Sequence, residues 1–284
     1  METAVITTGG LGTRLLTFTK SNPKTMLPLY EKSRDKSGGP LVRPLLEIIF
    51  ENLYDVGIRR FCIIVGTKTQ EAILRQMMPD PAYISLLQKR NVAVDRRFIR
   101  TLSRLYSKME KCTIKWIPQS TPMGFGHALL SSSKFIGKDD FLLHAGDAYF
   151  PSVDFIPKMV KRFQADNMSA VLLLQRMKSL KGYGIAQMQK SSGQHVVFHV
   201  QEKPKKPQSN LAILPVYLFR SEIFNALRKT QRGYNNELQV TDAVKTLIDW
   251  NKKVSAELYT KNWFDIGSPE NYYKALNYSY KNSL

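Results

Sequence analysis

Short apolar runs alternate along the chain with longer segments in which apolar residues recur at helical spacing. Six short runs are typical of buried strands, because most of them are stretches of Val, Ile, Leu and Phe. They are residues 4–7, 61–65, 113–118, 141–145, 171–175 and 195–200. Residues 44–54 and 69–77 predict amphipathic helices before and after the second run. Strands and helices that alternate in this order predict βαβ crossovers around a parallel sheet.

The first predicted strand runs directly into a glycine-rich loop. Gly9, Gly10 and Gly12 stand there, and Arg14 and Lys24 follow. Ligands of parallel sheets bind beyond the carboxyl ends of the strands, which is where this loop is expected. Glycines let backbone N–H groups approach oxyanions closely, and the two cations add charge-assisted hydrogen bonds. The arrangement is therefore suited to holding a phosphate group.

The loop departs from both standard nucleotide-binding motifs. A P-loop carries Lys and then Ser or Thr directly after its last glycine, whereas Thr13 and Arg14 follow Gly12. The dinucleotide fingerprint carries a third glycine where Leu15 stands. Taken alone, the loop fits either phosphate binding or a tight turn beside an incidental arginine.

A second loop offers an amide side chain beside glycines. Gln119 follows the strand predicted at residues 113–118, and Gly124 stands at the start of the next helix. An amide donates and accepts hydrogen bonds at once, so Gln119 can read the imide edge of uracil or thymine. The other interpretation, a turn capped by the glutamine, is favoured by these residues alone. His127 is expected to pack or to hydrogen-bond locally rather than to act as a base.

Asp147 follows the strand predicted at residues 141–145. A carboxylate at the carboxyl end of a parallel strand, near a phosphate-binding loop, is well placed for Mg²⁺. Because Mg²⁺ is usually held by one or two carboxylates together with phosphate oxygens, a second acid is expected elsewhere in the chain. An Asx-turn or a helix cap is the other interpretation of Asp147.

Glu202 and Lys203 follow the strand predicted at residues 195–200. The carboxylate can accept hydrogen bonds from two sugar hydroxyls, and the ammonium can pair with a sugar phosphate. Neighbouring residues of a strand point to opposite faces, so both serve one ligand only if the strand twists or ends there, as Pro204 allows. A solvated strand end is the alternative.

Two blocks of sequence closely resemble the signature of the sugar-1-phosphate nucleotidylyltransferases. They are Gly-Leu-Gly-Thr-Arg at residues 10–14 and Pro-Lys-Thr-Met-Leu-Pro at residues 23–28. Further blocks recur as far as about Ala275, so the resemblance covers nearly the whole chain. Within the family, the chain is most similar to the bacterial-type UTP–glucose-1-phosphate uridylyltransferases.

The resemblance implies an α/β protein with a Rossmann-like, three-layer nucleotidyltransferase fold around a central mixed, mostly parallel sheet. It implies a single domain over residues 1–284. Three features of that domain are expected from the sequence: a polar, exposed insertion at about residues 31–42, a helical excursion at about residues 80–111, and a C-terminal helix at about residues 268–284.

The resemblance also implies roles for individual residues. Arg14, Lys24 and Asp147 would be catalytic, and Asp147 and Asp265 would hold Mg²⁺. The nucleotide would be bound by Gly9, Gly10, Gly12, Thr13, Gln119 and Gly124. The sugar phosphate would be bound by Gly184, Glu202 and Lys203.

The implied reaction transfers a uridylyl group from UTP to glucose 1-phosphate and releases pyrophosphate, in a Mg²⁺-dependent in-line displacement. Two alternatives stay open: thymidylyl transfer from dTTP to the same acceptor, and a non-catalytic regulatory subunit that keeps the fold. The implied partners are UTP and a sugar 1-phosphate, and a homo-oligomer, either a dimer or a tetramer, is expected.

The chain carries a formal net charge of +19. Arg96, Arg100, Arg104 and Lys108 recur every four residues, so we expect them on one face of a helix. No nucleic-acid motif accompanies this charge, which favours a solvated or subunit-contacting face over a nucleic-acid site. No apolar run is long enough to span a bilayer and no signal-peptide pattern is present, so we expect a soluble, cytoplasmic protein without a membrane partner.

Overall fold

The fold is described from a computed structural model of the chain. The structure describes residues 1–10, 12–33, 39–89, 96–165, 167–191 and 194–284. Parts of three sequence predictions lie outside the described residues: Leu11 in the glycine loop, residues 34–38 in the polar insertion, and residues 90–95 in the helical excursion.

Strands and helices alternate along most of the described chain. The strands are β1 (Thr3–Thr7), β2 (Pro28–Lys32), β3 (Pro40–Pro44), β4 (Arg60–Gly66), β5 (Thr113–Gln119), β6 (Phe141–Ala145), β7 (Ala148–Tyr149), β8 (Ala170–Arg176), β9 (Ile185–Ser191), β10 (Gln194–Gln201), β11 (Leu211–Phe219), β12 (Val254–Leu258) and β13 (Phe264–Asp265). The helices are α1 (Leu16–Thr19), α2 (Leu45–Asp55), α3 (Gln70–Met77), α4 (Pro81–Lys89), α5 (Arg96–Glu110), α6 (Phe125–Ser131), α7 (Ser133–Ile136), α8 (Phe155–Ala165), α9 (Ile223–Lys229), α10 (Val240–Asp249) and α11 (Pro269–Ser283).

Nine strands form one central sheet, in the order β5-β4-β1-β6-β11-β8-β12-β10-β9. In the first part of this order, β1 is parallel to β4 and to β6, and β4 is parallel to β5. The carboxyl ends of these four strands therefore lie along one edge. The residues that follow the strands, including the glycine loop after β1, share that edge.

Beyond β6 the sheet changes character. β11 runs antiparallel to β6, β8 and β9, and β10 runs antiparallel to β9 and β12. Among the described strands of this half, β8 and β12 make the parallel pair. The predicted mixed α/β fold with a central sheet is confirmed, but the expectation that the sheet is mostly parallel holds only for the half that carries the glycine loop. β9 and β10 are consecutive strands, whereas β11 pairs antiparallel with β6 and β8, from which other strands separate it in the chain.

Apolar side chains cover both faces of the sheet. Along β1, Ala4 and Ile6 enter one core and Val5 enters the other, because successive side chains of a strand alternate. Helices α2, α3, α5, α8 and α11 contribute to the first core, and α6, α7, α9 and α10 contribute to the second. Burial on both faces explains the continuous apolar runs of the parallel strands and gives the three layers.

The segment predicted as a polar, exposed insertion has strands at both of its ends. β2 and β3 pair antiparallel, with Pro28 opposite Pro44 and Lys32 opposite Pro40. The hairpin packs against the C-terminal helix α11, where the hydroxyl of Tyr272 donates to the carbonyl oxygen of Pro28 at 2.9 Å. This packing against a distant helix stabilises strands that the local polar composition does not predict.

The basic helix is present as α5, but one of its cations is not on a solvated face. Lys108 is 9% exposed, and its Nζ lies 2.9 Å from Glu51 Oε1 and 2.7 Å from Asp55 Oδ1. The expected outer position of Lys108 is therefore wrong, because acids of α2 pair with it inside the protein. Arg96 and Arg100 are exposed as expected. None of the described helices is both long and apolar enough to cross a membrane.

Candidate active site

A cleft of about 920 Å³ opens along the edge where β1, β4, β5 and β6 end. Its walls bring together every residue to which the sequence gives a catalytic, binding or metal role. They are Gly9, Gly10, Gly12, Thr13, Arg14, Lys24, Gln119, Gly124, Asp147, Gly184, Glu202, Lys203 and Asp265. The structure therefore collects side chains from both halves of the sheet in one cavity.

The glycine loop lines one wall of the cleft. Gly12 has φ +61°, and a Cβ built on it would lie 2.7 Å from Thr19 Cγ2. The hydroxyl of Thr19 donates to the carbonyl oxygen of Gly12 at 2.8 Å, which ties the loop to α1. Both the left-handed backbone and the close approach require glycine at this position. Arg14 lies directly after this turn, with its side chain exposed to the cleft.

Lys24 and Asp147 form an ion pair across the cleft, with 3.0 Å between Nζ and Oδ2. Asp147 reaches this position because Gly146 packs closely against the end of β1. The Gly146 amide donates to the carbonyl oxygen of Thr7 at 2.8 Å, and a Cβ on Gly146 would lie 2.7 Å from that oxygen. The 14% exposed side chain of Lys24 is held facing the 36% exposed side chain of Asp147.

Asp265 is held beside Asp147 by a short two-stranded sheet. β13 pairs with β7, which places Asp265 opposite Ala148, and the Ile266 amide donates to the carbonyl oxygen of Asp147 at 2.9 Å. Burial raises the pKa of Asp265, and the neighbouring carboxylate of Asp147 raises it further. Nearby cations oppose this shift without reversing it.

The donor set fits a small, hard cation. Asp147 and Asp265 are neighbouring carboxylates, and the pKa of Asp265 is raised. A bound cation would stabilise the ionised form of both. The described residues contain no group of three or more His, Cys, Asp or Glu side chains that could hold a metal. Two carboxylates are a donor set that suits Mg²⁺, which takes one or two of them and completes its shell with phosphate oxygens and water.

Glu202 and Lys203 both face the cleft because the strand stops before them. β10 ends at Gln201, and Lys203 has φ +40°, an uncommon backbone conformation for a residue with a side chain. Lys203 Nζ lies 3.2 Å from Glu202 Oε1. A Cβ on Gly184 would lie 3.1 Å from Glu202 Oε2, so glycine there makes room for the carboxylate.

Gln119 lies at the end of β5, next to the glycine loop. Its side chain lines the cleft although the residue is only 6% exposed. Its Nε2 lies 3.1 Å from Nδ1 of His127, so the local hydrogen bond expected of His127 is present. Gly124, at φ +104°, begins α6, and a Cβ there would lie 2.6 Å from the carbonyl oxygen of Leu238.

The cleft is also lined by residues that the sequence did not indicate as site residues, among them Tyr234 and Thr241. The ring centre of Tyr234 lies 4.9 Å from Lys203 Nζ, a cation–π distance. Thr241 Oγ1 lies 2.8 Å from where a Cβ of Gly184 would stand. Residues 236–243 are one of the further blocks in which the sequence resembles the nucleotidylyltransferases, and this block was the available indication for Thr241. No local pattern predicts that Tyr234 meets Lys203.

Fold and site together define a class of protein, the α/β proteins with a ligand cleft at the carboxyl ends of parallel strands. The chain belongs to the nucleotidyl transferase family, whose model matches residues 3–282. This confirms the resemblance recognised from the sequence.

Two curated relatives and one solved structure illustrate the similarity. The UTP–glucose-1-phosphate uridylyltransferase of Mycoplasma genitalium is 30% identical, over 96% of this chain and 89% of the relative. The glucose-1-phosphate thymidylyltransferase of Streptomyces griseus is also 30% identical, over 93% of this chain, which spans 62% of that longer relative. A structure of UDP-glucose pyrophosphorylase without ligand superposes with a TM-score of 0.85, 25% identity and complete coverage of both chains.

Proposed function

We propose that this protein transfers a uridylyl group from UTP to glucose 1-phosphate, forming UDP-glucose and pyrophosphate. The observation that carries the proposal is the meeting of Arg14, Lys24 and the acidic pair with Glu202 and Lys203 in one cleft. The family membership supports it, and so do relatives named as uridylyltransferases along nearly their whole length.

The reaction needs no nucleophile from the protein. An oxygen of the sugar phosphate attacks the α-phosphorus of UTP, the new P–O bond forms, and the bond to the bridging oxygen of pyrophosphate breaks. Lys24 and Arg14 hold the phosphates and stabilise the charge that develops on their oxygens. Catalysis then consists of positioning and charge stabilisation, which are the terms that a preformed polar cleft supplies.

Asp147 and Asp265 would hold Mg²⁺. When bound, the ion neutralises phosphate charge and aligns the two substrates. In the structure Asp147 is paired with Lys24, and Asp265 lies beside it as the second carboxylate.

The acceptor is held from the other half of the sheet. Glu202 has room beside Gly184 to accept hydrogen bonds from sugar hydroxyls, and Lys203 pairs with the sugar phosphate. Tyr234 lies over the ammonium of Lys203 and limits its movement. Orientation of the acceptor phosphate toward the α-phosphorus is therefore assigned to Lys203.

Thymidylyl transfer is the second candidate. Uracil and thymine present the same imide edge to Gln119, and the Streptomyces griseus relative is named as a thymidylyltransferase. The choice between the two bases depends on the space around the pyrimidine methyl group and on contact with the 2′-hydroxyl.

The test is pyrophosphate release from the full chain with MgCl₂ and glucose 1-phosphate, comparing UTP, dTTP, CTP, ATP and GTP. We expect release with UTP well ahead of dTTP. Equal or better use of dTTP would support thymidylyl transfer. No release with any nucleotide, after other sugar phosphates are tried, would favour a non-catalytic subunit.

A further inference from the structure

We propose that His127 is a positioning residue that fixes the amide of Gln119 with its oxygen toward the nucleotide. The protein thereby accepts a pyrimidine with an imide N–H and rejects cytosine. This inference rests on the proposed function, since it concerns how the same cleft selects its base.

The contact is made behind the cleft wall. Gln119 lines the cleft, whereas His127 is absent from the residues that line it. The Nε2 of Gln119 lies 3.1 Å from Nδ1 of His127. His127 therefore affects the nucleotide only through the glutamine, which it holds from the side of α6.

The two ends of the amide have different surroundings. Nε2 has His127 as its partner, and Oε1 has no hydrogen-bond partner within the described part of the chain. Oε1 lies over the glycine loop, 2.6 Å from where a Cβ of Gly9 would stand. Because Gly9 has no Cβ, the oxygen has room at this position. Oε1 is therefore free to accept a hydrogen bond from a ligand.

An imidazole whose Nδ1 accepts the hydrogen bond imposes this orientation. When its proton is on Nε2, Nδ1 is an acceptor and takes one of the two amide hydrogens of Gln119. The amide then keeps one hydrogen and both oxygen lone pairs for the base. Uracil and thymine offer N3–H to that oxygen, whereas cytosine offers an unprotonated N3 that repels it. If the Gln119 amide were turned so that Nε2 faced the base, cytosine would be preferred over uracil and thymine.

The position of His127 is itself well fixed. α6 begins at Gly124, and the Gly126 amide donates to the carbonyl oxygen of Leu238 at 2.8 Å. One turn later, the hydroxyl of Ser131 donates to the carbonyl oxygen of His127 at 3.1 Å. A helix anchored in this way presents the ring to Gln119 at a constant distance, as a positioning residue must.

The test replaces the acceptor with an obligate donor. In His127→Lys the ammonium can only donate, so it attracts Oε1 of Gln119 and turns the amide nitrogen toward the base. We expect the ratio of kcat/KM for UTP to that for CTP to fall about 10-fold or more, because one hydrogen bond is lost and one mismatched pair is made. The change should appear mainly in KM, since the phosphate contacts are untouched.

Three comparisons keep the result interpretable. His127→Asn, whose side-chain oxygen can accept, should retain more of the UTP preference than His127→Lys. His199→Lys, the same substitution at a histidine that does not line the cleft, should leave the ratio unchanged. In a Gln119→Ala background, His127→Lys should add no further loss of selectivity. Thermal unfolding of each variant identifies any that fails to fold. If His127→Lys does not fold, His127→Asn measured with and without Gln119 still decides the point.

The proposal is overturned if folded His127→Lys and His127→Asn both keep the wild-type UTP to CTP ratio, or if His127→Lys changes that ratio equally without Gln119. Failure of the proposed function is a separate result, because it appears in the wild type as no use of any nucleotide. Direct titration of UTP and CTP into the wild type and His127→Lys without sugar phosphate gives the same selectivity test from binding alone.

Discussion

Two clusters of charged side chains are organised in opposite ways in this protein. The cavity cluster consists of Arg14, Lys24, Asp147, Glu202, Lys203 and Asp265. The hairpin cluster consists of Glu31, Arg43, Glu47, Glu51, Asp55 and Lys108, and it joins the β2–β3 hairpin to α2 and α5.

In the hairpin cluster each cation has several acids. Arg43 lies 2.7 Å from Glu31, 3.2 Å from Glu47 and 2.5 Å from Glu51, and its side chain is 7% exposed. Burial opposes the charge of Arg43, but the three carboxylates outweigh burial and raise its pKa. Lys108 in turn lies between Glu51 and Asp55. The cluster is closed in that each of its two cations contacts two or more carboxylates.

In the cavity cluster each ammonium has a single acid within ion-pair distance among the described residues. Lys24 pairs with Asp147 and Lys203 with Glu202, and the side chain of Asp147 is 36% exposed. Asp265 faces a second carboxylate, which together with burial raises its pKa. Incomplete pairing costs stability in the empty cleft and leaves each group able to bind a substrate charge. The multiply paired charges of the hairpin cluster stabilise the fold, whereas the incompletely paired charges of the cavity cluster are available to bind a charged ligand.

The largest effect on stability is expected from removing Arg43, the central cation of the hairpin cluster. Arg43→Met leaves the carboxylates of Glu31, Glu47 and Glu51 around an apolar tip. Removing one partner of a buried ion network costs about 3–5 kcal/mol in free energy of unfolding. Urea unfolding followed by circular dichroism measures it, and kcat of the remaining folded protein should stay close to that of wild type. A loss below about 1 kcal/mol would contradict the closed-cluster interpretation.

In the cavity cluster, a substitution should lower activity much more than it lowers stability. Lys24→Ala removes the cation that faces Asp147, so kcat should fall by about 100- to 1000-fold, the usual effect of losing one preorganised charge stabiliser. The free energy of unfolding should change far less than in Arg43→Met. Steady-state pyrophosphate release and urea unfolding measure the two quantities on the same preparation. Wild-type turnover would refute the role of Lys24.

Acidic pH should destabilise the hairpin cluster, because protonation of Glu51 removes its ion pairs. Burial raises the pKa of Glu51, but Arg43 and Lys108 outweigh burial and lower it below the ordinary value of 4.5. A lowered folded-state pKa stabilises the protein above the ordinary value and loses that contribution as pH falls through the folded-state pKa.

Glu51→Gln imitates the protonated side chain. At pH 7 it should cost about 1.5–3 kcal/mol, the range for hydrogen bonds to charged groups. The difference from wild type should shrink as pH falls below 4.5. Urea unfolding from pH 7 to pH 3 measures this, and a difference that grows on acidification would have the wrong sign.

The smallest effect is expected from an ion pair outside both clusters. Arg75 and Glu71 lie on α3, one turn apart, with side chains 79% and 77% exposed. Solvent screens such pairs, so Arg75→Ala should change the free energy of unfolding by less than about 0.5 kcal/mol. A loss as large as that of Glu51→Gln would show that burial is not what separates the clusters.

Much of the site could be predicted because its residues follow the strands of the parallel half. β1 and β6 are apolar on both faces, so their pattern predicts the strands directly, and the loops that carry Gly9 and Asp147 share the edge where these strands end. The turn at Lys203 was also foreseeable, because Pro204 indicates the end of β10.

Other parts could not be predicted from local pattern. Strand direction in the half formed by β8 to β12 depends on how hairpins and crossovers connect, which apolar periodicity does not encode. The pairing of Lys108 with Glu51 joins residues that are far apart in the sequence. Charge spacing alone therefore predicted an exposed cation where the fold provides buried acids.

The pairing of β7 with β13 has a consequence for protein synthesis. The ribosome makes the chain from its N-terminus, so the glycine loop, Lys24, Gln119, Asp147 and Lys203 are all released before Asp265. A nascent chain that ends before β13 has Lys24 and Lys203 but only one of the two neighbouring carboxylates, Asp147. The acidic pair can therefore form only after β13 has been synthesised, later than each of the other cleft residues named here.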